Sequence, residues 1–233
     1  LAQSSYSQDE ELREVQALLT RGIDGLVLVG EDHHPAVYAA ITQQGIPHVN
    51  LWTYNPYSSF SCIGLDNGAA GRNVAKHLAN LGHINIGIIS GILLNNDRAR
   101  QRVNGVRGYF KELDVNIPDS HSEECRYSAE QGRQAAHKLL KRHPEITAII
   151  CGNDILALGA LAAARELGLN VPTQLSVTGF DNLEILSAIS PALTTVNSPS
   201  RRMGTRAAEY LLEQINTNTR TVERIELSTD FIV

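Results

Sequence analysis

The sequence predicts an α/β fold with parallel sheets arranged in two lobes, and three observations carry the prediction. Two stretches about 120 residues apart follow one plan: an apolar strand, a small polar cluster, then a helix. They are Gly25 to Asp32 (GLVLVGED) and Ala148 to Asp154 (AIICGND, running on into ILALGALAAARELGL). Short apolar runs alternate with helical patterns along most of the chain, the order that builds βαβ units. Runs such as IGII and AIIC are apolar throughout, as parallel strands covered on both faces require. In open α/β sheets the polar cluster after such a strand is where ligands bind. Two such strand ends therefore point to capture of a small molecule between domains.

In chain order, a helix is expected over Gln8 to Thr20. Strands follow near Leu26 to Val29, Pro47 to Leu51, Cys62 to Gly64, Ile84 to Ile89, Ala148 to Cys151, Leu175 to Thr178 and Leu193 to Val196. Asp66 or Asn67 caps a helix running to Asn80, ahead of Gly82, and Asn96 or Asp97 caps the next. Ser128 opens a helix to Arg142 that Pro144 closes. The helix from Ile155 ends at Gly168 and Pro172. Pro199 and Ser200 begin the last, Arg201 to Ile215. No low-complexity linker separates the lobes, so several chain crossings must join them.

At 233 residues and 42% hydrophobic, the chain can bury a large core. A net charge of −5 argues against a nucleic-acid surface on this stretch itself, because phosphate binding needs clustered Lys and Arg. Cys62, Cys125 and Cys151 are odd in number and widely spaced, which favours reduced thiols and a cytoplasmic location. There is no apolar run of membrane-spanning length.

Catalytic and cofactor signatures are missing. Gly91, Gly105 and Gly108 do not form a dinucleotide fingerprint, and no phosphate-binding P-loop or nucleophile elbow occurs, so no cofactor is expected. His33 and His34 lack a third ligand at useful spacing and read as a solvated turn rather than a metal site. His77 and His83 flank a helix end, where a cation satisfies the last carbonyls. What stands out suits recognition. Arg98 and Arg102 share one helix face after the strand IGIIS, and guanidinium forks match carboxylate, phosphate or sugar oxygens. Asn153, Asp154 and Asp181 follow strands directly, either as ligand contacts or as caps. Trp52, Tyr54 and Tyr127 are aromatics in a chain with 5% of them, either stacking platforms or half-buried packing.

The run from CGNDILALGALAAARELGL through VTGFDN to SPALTTV resembles the LacI/GalR family of bacterial transcriptional repressors. So do GIDGLVLVG, IGLDNGAAGRNVAKHLANLGHINIGIISG and DRARQRVNG. The resemblance covers essentially the whole chain. It implies an effector-binding and dimerisation module of the periplasmic-binding-protein type I: two Rossmann-like lobes joined by three crossovers, with the effector in the cleft between them. The lobes expected are 1–81 with 197–225, and 82–196 with 226–233. Against a full-length repressor the chain looks shorter by about 100 residues, a domain-scale loss. The absent part is the helix-turn-helix, the hinge helix and the first strand and helix of the amino-terminal lobe. Since that strand is central in the family's sheet, upstream residues are expected to be needed for folding.

The resemblance assigns effector contacts to Trp52, Asp66, Arg98, Arg102, Tyr127, Asn153 and Asp181. Arg102 would grip ligand oxygens and Asp181 would accept from hydroxyls or ring nitrogens; a sugar or sugar derivative is the expected effector, and a sugar phosphate or a purine suits the same residues. It implies a homodimer, with DNA bound only through the upstream headpiece. The small-residue face of the helix from Ile155 is expected to meet its two-fold mate through Leu156, Leu158 and Ala160, with Leu183 and Leu186 nearby. The alternative to that interface is packing under the chain's own sheet. A periplasmic sugar receptor is the alternative function. An enzyme using Asp66 and Asp181 as acid and base ranks last.

Overall fold

The computed structural model describes residues 1–217 and 219–233 and divides into two compact units. The first comprises 1–66, 94–98 and 199–228, and the second 67–93, 99–198 and 229–233. Residues 67–81, placed with the amino-terminal lobe on sequence grounds, group with the second unit.

The first unit holds α1 (Gln8–Thr20), β1 (Leu26–Val29), α2 (Pro35–Gln43), β2 (His48–Leu51), β3 (Cys62–Gly64), α7 (Ser200–Thr217) and β9 (Arg224–Glu226). Its four strands form one parallel sheet in the order β1-β2-β3-β9. α1 begins where the Ser7 hydroxyl accepts from the Glu10 amide. Asp9, Glu10 and Glu11 in its first turn complement the helix dipole. β1 lies at the sheet edge, with Val27 and Val29 exposed beside a cavity of about 600 Å³.

His33 is not in a solvated turn. It is buried, with Nδ1 2.8 Å from Glu11 Oε1 and Nε2 3.0 Å from the Gly30 carbonyl, so it ties α1 to the loop after β1. His34 caps α2 by accepting from the Ala36 amide.

The second unit holds α3 (Asn67–Asn80), β4 (Ile86–Gly91), most of α4 (Asp97–Glu112), β5 (Ser122–Cys125) and α5 (Ala129–Arg142). It continues with β6 (Ala148–Cys151), α6 (Asp154–Glu166), β7 (Ser176–Thr178), β8 (Thr195–Asn197) and β10 (Asp230–Ile232). The parallel sheet runs β5-β4-β6-β7, and β8 pairs antiparallel with β10. Every residue of β4 and of β6 is buried, as expected of central parallel strands.

β5 was not expected. Its sequence SEEC carries no apolar run, because it is an edge strand and the Glu123 carboxylate is paired by Lys138 and Arg142 of α5. His83 also differs from its expected capping role: its ring nitrogens face the hydroxyls of Thr147 and Ser176. The three cysteines are free and buried. No helix among the described residues is long and apolar enough to cross a membrane.

Two helix pairs are set by glycines. A Cβ on Gly105 of α4 would overlap the Gly68 carbonyl oxygen of α3, and one on Gly71 would overlap the Arg102 carbonyl oxygen. α3 and α4 therefore touch backbone to backbone, which fixes the position of Arg102 relative to Asn67. α5 and α6 approach similarly, with Gly159 against the Ala129 carbonyl. Gly105→Val should destabilise the chain by about 2 kcal/mol or more, since neither backbone can yield without moving its helix. Urea denaturation measures this, and a variant as stable as the parent would contradict the crossing.

Candidate functional site

The carboxyl edge of the second unit's sheet collects five of the residues singled out from sequence: Arg102, Tyr127, Asn153, Asp154 and Asp181. β4 ends at Gly91, where a side chain would collide with the Tyr127 ring, so glycine there makes room for the aromatic. β6 runs into Gly152 and Asn153, and β7 into Gly179, Phe180 and Asp181.

Arg102 is held from three sides. Its Nε donates to Asn67 Oδ1 at 2.8 Å, a terminal nitrogen donates to the Gly152 carbonyl at 2.8 Å, and its guanidinium lies over the Phe180 ring, 3.6 Å from the centroid. A planar cation stacked on an aromatic and fixed by two hydrogen bonds has lost most of its rotamer freedom before any ligand arrives. That preorganisation lowers the entropy cost of binding.

Asp181 is the next residue after Phe180. Its backbone is left-handed, φ 111°, and the conformation is pinned by donation from its amide to the Val196 carbonyl at 2.8 Å. The Ser198 hydroxyl donates to its carboxylate at 3.2 Å. Burial pushes the carboxyl up to about 6; the Arg102 charge pulls it back, Asp154 pushes it further up, and the Ser198 bond opposes. Desolvation thus outweighs the guanidinium, which leaves a carboxylate that gains from a ligand donor.

Asp154 organises this loop. It is fully buried at the start of α6, and its two oxygens accept from the Leu183 amide at 2.8 Å and the Thr195 hydroxyl at 2.7 Å. Its amide donates to the Phe180 carbonyl at 2.9 Å. Of the two roles open to it, cap or contact, it takes an internal bracing one. Asn153 caps α6, its side-chain oxygen accepting from the Leu156 amide at 2.9 Å.

The remaining candidates lie in the first unit. Trp52 follows β2 with φ 65°, its amide against the Met203 sulfur. Asp66 is exposed ahead of α3. Arg98 is buried, and one terminal nitrogen donates to the Val29 carbonyl and to Asp97 Oδ1, each at 2.8 Å, so this end of the guanidinium braces the end of β1.

The expected dimer residues need correction. Leu156 and Ala160 are fully buried and Leu186 nearly so, all within the second unit's own core. The small-residue face of α6 is consumed by α5, whose close approach Gly159 permits. Leu158 is half-buried, while Leu183 and the neighbouring Ile185 are exposed. Two residues of the Arg102 setting escaped the sequence reading. Asn67 read only as a helix cap, and Phe180 only as the partner of a glycine in the GFD turn.

These features match a known class. Residues 75–233 match the model of the periplasmic binding protein-like domain. The chain is 36% identical to an uncharacterised HTH-type transcriptional regulator of Streptomyces limosus, over 91% of this chain and 61% of that protein. It is 32% identical to the HTH-type transcriptional repressor PurR of Pectobacterium carotovorum, over 92% of this chain and 63% of the repressor. Among solved structures, the transcription regulator GntR of Chromobacterium violaceum superposes with a TM-score of 0.92 at 28% identity, covering 100% of this chain and 85% of that one. A complex of the transcriptional regulator CelR with cellobiose superposes with a TM-score of 0.87 at 25% identity, over 97% and 70%. The fold is that of a periplasmic-binding-protein-like domain. The chain belongs to the LacI/GalR family of transcriptional regulators, and it spans a little over three fifths of the length of these two curated relatives.

Asp181 yields a pH prediction. Its folded value near 6 exceeds the unfolded value of about 4, so the folded state holds this proton more tightly. The stability this group contributes is full below about pH 4 and is lost as pH rises through about 6. Asp181→Asn, which cannot ionise, should therefore gain on the parent between those limits and stay ahead at neutral pH in urea denaturation. A stability difference that does not vary with pH would contradict the burial argument.

Proposed function

We propose that this chain is the effector-binding domain of a LacI/GalR-type DNA-binding regulator, and that a small metabolite binds at the carboxyl edge of the second unit's sheet. The observation that carries the reading is the Arg102 and Asp181 pair, a fixed cation beside a carboxylate whose charge burial disfavours. Arg102 donates to ligand oxygens and Asp181 accepts from a hydroxyl or ring N–H, with Tyr127 beside the apolar face of the ring. A sugar or sugar derivative offers that alternation of hydroxyls and flat C–H faces. The cellobiose held by the similar regulator CelR supports this class. The alternative of a transporter's sugar receptor loses weight because the relatives are regulators.

Binding acts by population shift. The effector changes operator affinity only by its difference in affinity for the regulator's two states. DNA is read by a helix-turn-helix headpiece outside this chain, and the regulator works as a homodimer in the cytoplasm. Leu158, Leu183 and Ile185 are the apolar residues best placed to meet the second copy.

Thermal-shift screening against sugars, nucleobases and phosphorylated metabolites identifies the effector. Arg102→Ala should then weaken the hit by about tenfold or more, the worth of a charge-assisted hydrogen bond. Unchanged affinity would remove the central contact. Leu158→Glu should shift the sedimentation of the chain to that of a monomer, and an unaltered dimer would exclude this face.

A further inference from the structure

Opposite that edge, at the amino ends of the second unit's strands, three side chains converge that none of the above uses. His121 closes the short turn before β5, His143 ends α5, and Glu145 stands in the loop leading to β6. Glu145 Oε1 lies 3.3 Å from His121 Nε2 and 3.3 Å from His143 Nδ1. The imidazole centroids are 4.3 Å apart.

The hydrogen positions constrain what this cluster can hold. His121 Nδ1 is 3.2 Å from the Ile86 carbonyl oxygen, which only accepts, so Nδ1 carries the hydrogen. In the neutral ring Nε2 then presents a lone pair to a carboxylate oxygen that also has only lone pairs. Something positive belongs between them, either a second proton or a metal ion.

The spacing admits the ion, the three ligand atoms all lying within 4.8 Å of one another. Ligand atoms at about 2.0 to 2.1 Å from a tetrahedral zinc stand about 3.3 to 3.4 Å from one another, which is the separation both histidine nitrogens keep from Glu145. An imidazole whose other nitrogen donates to a backbone carbonyl is also the usual form of a metal-binding histidine. His143 Nε2 is buried with no hydrogen-bond partner among the described residues, so no bond there fixes that ring, and it can adjust to an ion. The imidazole side chains are 11% and 16% exposed and the carboxylate 49%, so the ligands are shielded on one side and open to solvent on the other.

We propose that His121, His143 and Glu145 bind a divalent cation of the zinc class, with two imidazole nitrogens, one carboxylate oxygen and a water completing the set. The ion would clamp the end of α5 to the entry of β5, away from the effector contacts.

The test uses the full chain, stripped with a chelator and titrated with zinc chloride by calorimetry. Cobalt(II) serves as a second probe, through the visible absorption of its low-coordinate form. One zinc per chain is expected, as is a cobalt band that zinc abolishes. His143→Ala and Glu145→Gln should each weaken binding by about tenfold or more. Glu145→Gln changes one half-exposed atom, and circular dichroism verifies that it keeps the fold. No saturable uptake by the parent chain would overturn the proposal, and so would uptake equal to the parent's in both variants.

Discussion

The second unit's carboxyl edge depends on one interaction, the clasp of the Arg102 guanidinium by Asn67, the Gly152 carbonyl and the Phe180 ring. Each partner sits on a different element: α3, the loop after β6 and the loop after β7. The clasp forms only if α3 and α4 cross at van der Waals distance, which Gly71 and Gly105 permit. It also needs β6 and β7 in parallel register, Ala148 opposite Ser176 and Ile150 opposite Thr178, so that their loops leave the sheet side by side. Close helix packing, sheet register and the placement of one cation are thus a single constraint seen at three scales.

Asp181 is the strained and desolvated residue of the same edge. Its backbone occupies a region few non-glycine residues adopt, and its carboxylate is more buried than one guanidinium can compensate. Asp154 makes this tolerable. By accepting from Leu183 and Thr195 and donating its amide to Phe180, it braces the loop on both sides of Asp181. A polar group partly deprived of water and held in place recovers that cost when a ligand supplies the missing donor.

Much of the fold was legible because parallel sheets write themselves as short apolar runs between helices. Ile86 to Gly91 and Ala148 to Cys151 are buried throughout and were found within two residues of their limits. The capping signal at Ser128 was equally direct. β5 and β9 were hidden because an edge strand need not be apolar, as SEEC and RIE are not. In the site, Arg102 and Asp181 were visible through residue type and position after strands. Asn67 and Phe180 were not, since their role arises from a helix crossing and a stacking that no local pattern encodes. The face of α6 misled for a related reason. Small apolar residues at helical spacing signal close packing without saying whether the partner is another chain or the neighbouring helix.

If Arg102 and Asp181 act on one ligand as a pair, their contributions to its affinity are coupled. A double-mutant cycle measures this directly, comparing effector affinity in the parent chain, Arg102→Ala, Asp181→Asn and the double variant by calorimetry. Losses that fail to add are expected, with a coupling of about 0.5 kcal/mol or more between the two sites. Strictly additive losses, or a substitution without effect, would contradict it.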